Sequence, residues 1–323
     1  LDIVKPGVVT GDDVQKIFAI AKEKQFAIPA VNCVGSDSVN AAFETAARVR
    51  APIIIQFSNG GAAFYAGKGI KPASGARPDV LGAIAGARHV HTLAAEYGIP
   101  VILHTDHCAK KLLPWIDGLL EAGEKHYKET GKPLFSSHML DLSEEPIAEN
   151  MAICRKYLER MNKIGMTLEI EIGITGGEED GVINSGECAD PAECARIASL
   201  GIDFLAAGIG NIHGKYPAGW KGLDFDVLAA IQAKTGDLPI VLHGGSGIPA
   251  DMVKKAITLG VSKVNVNTEC QIAFTEATKK YFAEGKDEES KGFTPRAVLA
   301  PGLEATKRVC IEKMTLFGSI GKA

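Results

Sequence analysis

The feature that most constrains this chain is a regular alternation of short β-rich runs with longer segments of helical composition. The intervening segments have apolar residues spaced three and four positions apart, as in amphipathic helices. Eight such βα units in a chain of 323 residues predict an α/β fold, a closed (β/α)₈ TIM barrel, with a doubly wound open sheet as the alternative. The eight predicted strands are residues 26–33, 52–58, 100–106, 134–140, 167–173, 204–210, 240–244 and 263–268, and the clearest helical segments are 12–24, 38–50, 80–97, 144–164, 191–200 and 249–259.

Three segments are longer than a minimal barrel requires. Residues 59–78 are rich in glycine and alanine and are predicted to form a long loop. Residues 108–133 contain a predicted helix at 115–128, and residues 269–323 form a C-terminal extension. The sequence has no linker-like segment and no internal repeat, so we expect a single domain over residues 1–323.

Composition restricts the class of protein and its partners. Hydrophobic residues make up 46% of the chain and charged residues 23%, which is typical of a globular protein. The net charge of −4 and the lack of a basic block argue against nucleic acid or an anionic membrane as a partner. The seven cysteines are irregularly spaced and indicate reduced thiols. With no signal-like segment and no apolar run of about 18 residues, a cytoplasmic location is expected.

Polar side chains occur near the carboxyl ends of six of the eight predicted strands. Both faces of a strand in a parallel barrel are buried, so such side chains need either a partner or a function. These residues are Asn32, Ser58, Asp106, His107, Glu169, Glu171, His243, Asn265 and Asn267, and His213 follows the sixth predicted strand.

The fifth predicted strand places two carboxylates on one face. Leu168, Ile170 and Ile172 alternate with Glu169 and Glu171, so both acids are predicted to point into the barrel. Two ionised carboxylates there require compensation by cations or hydrogen bonds. A bound metal ion would provide it.

Three histidines follow strand ends and are expected to converge at one mouth of the barrel. His107, His213 and His243 could supply three imidazoles with an open fourth position, as in catalytic zinc sites. The alternative is that each is a hydrogen-bonded barrel residue, because their spacing is not a local metal motif. His104 is predicted to be a core residue one layer below Asp106.

Glycine-rich turns surround two of these histidines. Residues 243–247 read HGGSG, and Gly214 follows His213. Such turns expose backbone N–H groups to a phosphate, and phosphate sites after the last barrel strands are common. The alternative is an ordinary tight turn between a strand and a helix.

An acidic segment, TGGEEDG at residues 175–181, follows the Glu171 strand. It could be a mobile lid that carries a catalytic carboxylate, or a solvated acidic loop. The sequence leaves both interpretations open.

Taken together, these motifs resemble the class II fructose-1,6-bisphosphate aldolase family over essentially the whole chain. PAVNCV (29–34), QFSNGG (56–61), LHTDHCAKK (103–111), SSHMLDLSEE (136–145) and TGGEEDG (175–181) are similar to the branch typified by enteric bacteria. From about residue 203, GNIHGKYP (210–217), VLHGGSGIP (241–249) and VNVNTE (264–269) look more like the other branch, which includes tagatose-bisphosphate aldolases. The chain therefore has mixed features, as a natural member or as a chimera.

The resemblance implies a set of roles for the site residues. Asp106 would protonate the aldehyde oxygen in the condensation direction, Glu179 would move the C3 proton of dihydroxyacetone phosphate, and Asn265 would hold the enediolate. The catalytic zinc, for which Co²⁺ could substitute, would be bound by His107, His213 and His243. Glu171 would lie near an alternative buried metal position, and Asp141, also assigned to the metal site, would lie close by.

The resemblance also implies two phosphate sites and a shared active site. Ser58 would bind the aldehyde-side phosphate together with Arg296 from a neighbouring subunit of a homodimer or homotetramer, and Asn32 would lie close by. Whether a monovalent cation assists the ketose-phosphate site is left open. That site would be formed by Gly214, Gly244, Ser246, Asn267 and Thr268, although the enteric branch has aspartate at position 267.

The expected activity is the reversible, zinc-dependent cleavage of fructose 1,6-bisphosphate in glycolysis and gluconeogenesis. The nearest alternative is the same reaction on tagatose 1,6-bisphosphate, and more distant ones are a non-catalytic phosphosugar-binding protein and a phosphosugar isomerase. A Schiff-base mechanism is not expected, because no predicted strand has a lysine near its carboxyl end. Lys263 is predicted to lie at a strand start, on the face opposite to the site.

Overall fold

A computed structural model describes residues 3–179 and 182–323, without the side chains of 178, 179 and 182–184. In chain order the strands are β1 (Gly7–Val8), β2 (Ile28–Asn32), β3 (Ile53–Phe57), β4 (Pro100–Thr105), β5 (Ser137–Leu140), β6 (Thr167–Ile172), β7 (Gly176–Glu179), β8 (Val182–Asn184), β9 (Phe204–Ala207), β10 (Ile212–His213), β11 (Ile240–Leu242) and β12 (Val261–Val266). The helices are α1 (Asp12–Glu23), α2 (Ser36–Val49), α3 (Asn59–Ala66), α4 (Pro78–Leu93), α5 (Leu113–Thr130), α6 (Ile147–Asn162), α7 (Pro191–Ala198), α8 (Phe225–Thr235), α9 (Ala250–Thr258), α10 (Thr268–Ala283) and α11 (Pro295–Leu316), and a 3₁₀ helix spans Lys110–Leu112.

The main sheet closes on itself as a parallel barrel. Its strands follow the order β4-β3-β2-β12-β11-β9-β6-β5, and β5 pairs again with β4. The short strand β1 extends the sheet beside the start of β4, where Gly7 pairs with Pro100. The predicted TIM barrel and all eight of its predicted strands are confirmed, with differences of a few residues at the strand ends.

The barrel interior changes from apolar to polar along the strands. At the amino-terminal end, α1 packs Phe18 against inward-facing residues such as Ile54 and Phe204, with the Phe18 and Phe204 ring centroids 4.3 Å apart. Residues on the opposite strand faces, such as Ile53 and Ile55, belong to the core beneath the outer helices. Because side chains alternate along a strand, the polar residues near the carboxyl ends continue the inward-facing rows.

The prediction of a long loop at residues 59–78 was partly wrong. Helix α3 begins directly after β3, and the Ser58 hydroxyl accepts a hydrogen bond of 3.1 Å from the Gly61 N–H. A tertiary contact supports this glycine-rich helix, because a Cβ at Gly82 of α4 would lie 1.7 Å from the carbonyl oxygen of Ala62. The helix propensity of residues 59–66 contains no information on such a tertiary contact. The predicted helix at 115–128 is confirmed and lies within α5.

The C-terminal extension forms helices α10 and α11. Helix α11 packs against both α10 and α2, with Gly302 lying against the ring of Phe274. In the part of the chain that the structure describes, no helix is both long and apolar enough to cross a bilayer.

Candidate active site

Three histidines meet at the carboxyl end of the barrel. His107 follows β4, His213 lies in β10, and His243 follows β11. The ring centroid of His107 lies 4.9 Å from that of His213 and 4.8 Å from that of His243. One nitrogen from each ring falls within 4.8 Å of the other two. The predicted convergence therefore occurs, with a spacing that could hold one metal ion.

A second group of possible ligands shares His107. Its Nδ1 atom lies 3.3 Å from Asp141 Oδ2, and these two residues group with Glu171. The Thr175 hydroxyl donates to Glu171 Oε1 at 2.9 Å, whereas Oε2 is buried and has no hydrogen-bond partner among the described residues. Burial, together with the nearby Asp141 carboxylate, raises the pKa of Glu171 to about 7. An orphaned carboxylate oxygen beside imidazoles is suited to a cation.

Electrostatics within the cluster disfavour a fully protonated set of imidazoles. Burial and the neighbouring His107 and His243 rings lower the pKa of His213 well below its usual range. Burial also opposes a charged His107, but the carboxylates of Asp106 and Asp141 outweigh it and raise the pKa of that imidazole. A dication would satisfy the carboxylates and the neutral imidazole together.

A layer of charged residues lies inside the barrel beneath the histidines. Lys263 Nζ donates to Glu169 Oε2 at 2.7 Å, and both side chains are almost completely buried. Glu169 Oε1 lies 2.9 Å from His243 Nε2, and Glu169 Oε2 lies 3.2 Å from His104 Nε2. Burial opposes ionisation, but Lys263 and His104 hold the pKa of Glu169 well below its usual range.

The predicted orientation of Lys263 was wrong. It lies two positions before Asn265 on β12, so the period of two along a strand places both side chains on the inner face. Consequently a protein cation, the Lys263 ammonium group, balances the carboxylate of Glu169. The inward orientation of Glu169 and Glu171 and the core position of His104 are as predicted.

Asp106 is held by three amide side chains. Asn32 Nδ2 and Gln56 Nε2 each donate to Oδ2 at 3.1 Å, and Asn265 Nδ2 donates to Oδ1 at 3.3 Å. Burial opposes ionisation, but His107, His243 and Lys263 lower the pKa of Asp106 to about 2. Gln56 was not among the predicted site residues, although strand parity places it on the inward face of β3.

A small cavity beside Asp106 brings together all five residues of the predicted ketose-phosphate site. Gly244 has a φ of +61°, and a Cβ there would lie 2.1 Å from the carbonyl oxygen of Ile212. Only glycine permits this approach between the two loops. The cavity, of about 20 Å³, is lined by Asn32, Asp106, His213, Gly214, Gly244, Gly245, Ser246, Asn265, Asn267 and Thr268.

A larger cavity of about 570 Å³ also includes His213 in its wall. It is bordered by His107, Asp141 and Glu171, and by residues 109–112 and 142–145. Thr175 and Gly177 form another part of its wall. His213 borders both cavities, and His107 borders the larger one.

The acidic segment enters a small sheet. Strand β7 pairs in parallel with β10 and antiparallel with β8, so Gly177 lies opposite His213. Gly177 has a φ of +90°, and a Cβ there would lie 2.1 Å from the carbonyl oxygen of His213. The side chains of Glu178 and Glu179, as well as Asp180 and Gly181, lie outside the described residues. The sequence did not predict this sheet, because its pairing depends on two distant loops.

Two predicted substrate-binding residues border neither cavity. The Ser58 hydroxyl caps α3 and is half-buried, and Arg296 is exposed in the first turn of α11. Within the described ranges, the Arg296 guanidinium has no hydrogen bond or ion pair. Its predicted role requires a second subunit.

Comparisons with known proteins agree on one family. The sequence profile described as class-II fructose-bisphosphate aldolase matches residues 12–322. A fructose-bisphosphate aldolase from Haemophilus influenzae is 64% identical over 291 residues, which cover 84% of this chain and 81% of that protein. A class 2 fructose-bisphosphate aldolase from Escherichia coli K12 is 56% identical over 299 residues, covering 87% and 83%. The crystal structure of a fructose-bisphosphate aldolase from Campylobacter jejuni superposes with a TM-score of 0.89 at 42% identity, covering 100% and 99%.

Proposed function

This chain belongs to the class II fructose-bisphosphate aldolase family, and we propose that it cleaves fructose 1,6-bisphosphate reversibly to dihydroxyacetone phosphate and glyceraldehyde 3-phosphate. It is an aldehyde-lyase with a (β/α)₈ barrel. The observation that carries the proposal is the convergence of three imidazoles beside the buried carboxylate of Asp106. The family profile spans nearly the whole chain, which supports a single domain.

We infer that the metal is zinc. The donor set of His107, His213 and His243, with nitrogens within 4.8 Å of one another, favours a borderline ion such as Zn²⁺ or Co²⁺ over Mg²⁺. The unpaired Oε2 atom of Glu171 and the Asp141 carboxylate fit a second position next to His107. When bound, the cation supplies Lewis-acid stabilisation of negative charge on the substrate's ketone oxygen.

Asp106 and Glu179 are proposed to move the protons. Asp106, which is ionised and oriented by three amides, would accept the C4 hydroxyl proton in cleavage and return it in condensation. Glu179, on a strand of the sheet that contains His213, would exchange the proton at C3. Asn265 would hold the enediolate, since its Oδ1 has no partner among the described groups and is available to a substrate hydroxyl.

The small cavity is the proposed site for the ketose phosphate. Backbone N–H groups at the start of α10 and the glycine-rich turns offer donors to an anion. Gly214, Gly244, Ser246, Asn267 and Thr268 line it together with the Asp106 carboxylate. A phosphate there would place the ketone end of the substrate next to the histidines.

The aldehyde-side phosphate is proposed to bind at Ser58 and at Arg296 of a second subunit. Arg296 is exposed, and it is flanked by Phe293, whose exposure is 69%, and Leu299 at 36%. Exposed apolar side chains next to a guanidinium that has no ion pair among the described residues are typical of an interface. We therefore propose a homo-oligomer whose subunits complete each other's sites.

A cytoplasmic location is also proposed. All seven cysteines are unpaired in the structure, and six of them are buried. Free thiols are typical of a reducing compartment, which is also where glycolysis takes place.

The test is a coupled assay with fructose 1,6-bisphosphate, performed with and without added Zn²⁺. We expect cleavage that depends on zinc. Tagatose 1,6-bisphosphate, the C4 epimer, is measured in the same assay and is expected to be the poorer substrate. Binding of fructose bisphosphate without cleavage by the zinc-loaded protein would contradict the proposal.

A further inference from the structure

A partly buried ion pair joins the C-terminal helix to the turn that follows β11. Lys313 lies in the last turn of α11, and its Nζ is 2.5 Å from Oε2 of Glu269, the second residue of α10. The Lys313 side chain is only 10% exposed, and that of Glu269 is 29% exposed. Neither residue lines the small cavity, but the Glu269 N–H bonds to the hydroxyl of Ser246, a residue of the cavity wall.

Glu269 holds two consecutive residues of that turn. Its Oε1 accepts a hydrogen bond of 2.6 Å from the N–H of Gly247, which has a φ of +86°. Its own N–H donates to the Ser246 hydroxyl oxygen at 3.1 Å. Because the Ser246 oxygen is used as an acceptor on this side, its O–H is directed elsewhere, and Ser246 is a wall residue of the cavity.

The carboxylate of Glu269 would oppose phosphate binding if it stood alone. It accepts the N–H of Gly247, the residue after Ser246, and Ser246 and Thr268 line the cavity proposed for a phosphate dianion. Like charges a few ångströms apart repel, and the repulsion is strong where water is excluded. Lys313 neutralises this carboxylate without entering the cavity.

We propose that Lys313 and Glu269 are a positioning pair for the ketose-phosphate site. Glu269 fixes the Ser246–Gly247 turn, and Lys313 both orients that carboxylate and cancels its charge. This assignment rests on the proposed function, since it takes the small cavity as the phosphate site. It also gives the C-terminal extension a role in the binding of dihydroxyacetone phosphate.

The role of the positive charge of Lys313 is tested with Lys313→Met, which retains an unbranched side chain of similar length but removes the ammonium group. We expect the KM for dihydroxyacetone phosphate in the condensation direction to rise about tenfold or more, with kcat within about threefold of the parent enzyme. The KM for glyceraldehyde 3-phosphate should stay within about twofold, since the phosphate of that substrate is proposed to bind at Ser58 and at Arg296 of a second subunit. Lys313→Arg retains the charge and should keep a near-normal KM.

The double variant Glu269→Gln/Lys313→Met separates charge from packing. Glutamine can still accept the Gly247 N–H but carries no charge, so most of the lost affinity for dihydroxyacetone phosphate should return. Lys307→Met is the matched control, because the half-buried Lys307 lies on the same helix and forms ion pairs with the exposed carboxylates of Glu44 and Glu304. Its KM values should be unchanged.

Three outcomes would overturn the assignment. They are a normal KM for dihydroxyacetone phosphate in Lys313→Met, equal increases in both KM values, and a double variant no better than Lys313→Met. If Lys313→Met proves unstable, Lys313→Arg and the double variant still decide between charge and packing. A parent enzyme that cleaves no bisphosphate refutes the proposed function instead, and direct titration with dihydroxyacetone phosphate then tests the pair alone.

Discussion

His243 Nε2 lies 2.9 Å from Oε1 of Glu169, while the Nδ1 atom of the same ring lies 3.0 Å from His107 Nε2. The carboxylate therefore holds the imidazole with Nδ1 directed to the candidate metal group. Lys263 anchors the carboxylate in turn, at 2.7 Å. The orientation of a proposed ligand thus depends on an ion pair one layer deeper in the barrel.

Glu169→Gln is expected to weaken zinc binding by about 10- to 100-fold, the range seen when a partner of a metal-bound histidine is lost. It also leaves the ammonium group of Lys263 buried without its counter-ion, which costs about 3–5 kcal/mol of unfolding free energy. Adding Lys263→Met should restore much of that stability but not the zinc affinity. Chelator competition and urea unfolding measure the two quantities. A double variant that regains both would contradict the assigned role of Glu169.

Removal of the metal is expected to abolish activity, and Zn²⁺ or Co²⁺ should restore it. Borohydride added with substrate should leave the enzyme active, because Lys263 is paired with Glu169 and no imine is needed. Magnesium serves as the control cation and should not restore cleavage. Inactivation by borohydride together with indifference to chelator would require a Schiff-base mechanism.

The fold could be predicted because the buried strands and the helices of a parallel barrel correspond to residue patterns that are visible in the sequence. Each strand is buried on both faces, so it reads as a short apolar run, and each return crossing requires a helix. Helix α3 was missed, because its glycines disfavour a helix locally and the close contact of Ala62 with Gly82 is tertiary.

The candidate site could be predicted for a similar reason, since the carboxyl ends of parallel strands meet at one mouth. The predicted face of Lys263 is wrong because Lys263 and Asn265 are two positions apart on β12 and therefore share its inner face. The pairing of Gly177 with His213 could not be predicted, because it joins two loops far apart in the chain. No periodicity records such a contact.

Glu179→Gln is expected to lower kcat by about 100-fold or more, as for the loss of a general acid or base, with little change in KM. Exchange of the C3 proton of dihydroxyacetone phosphate with solvent isolates this step and should fall in parallel. Zinc content should remain normal. Glu178→Gln is the matched control, and loss of exchange in that variant instead would transfer the role to Glu178.

The buried His138 is expected to lower the stability of the folded protein as the pH falls. Its Nδ1 lies 2.6 Å from the Thr105 hydroxyl, and burial lowers its pKa from 6.5 to about 3. Below pH 6.5 the unfolded chain binds a proton that the folded protein does not, so stability falls by about 1.4 kcal/mol per pH unit until the pH nears 3. His138→Gln lacks this component. Between pH 7.5 and 5 it should lose about 2 kcal/mol less than the parent protein in urea unfolding, whereas parallel losses would show that His138 does not contribute.

Arg296 provides the test of a shared active site, since its guanidinium is exposed and has no ion pair within the described chain. If it binds the far phosphate of a substrate in the adjacent subunit, it makes a charge-assisted contact that stabilises substrate and transition state alike. Arg296→Ala should therefore raise the KM for fructose 1,6-bisphosphate strongly, yet leave proton exchange on dihydroxyacetone phosphate nearly unchanged. Mixing the Arg296→Ala protein with the His107→Ala protein should restore activity. In one site of such a heterodimer, the Arg296→Ala subunit supplies the intact histidines and the His107→Ala subunit supplies the intact Arg296. No recovery despite demonstrated subunit exchange, or a normal KM in Arg296→Ala, would leave Arg296 as a surface residue.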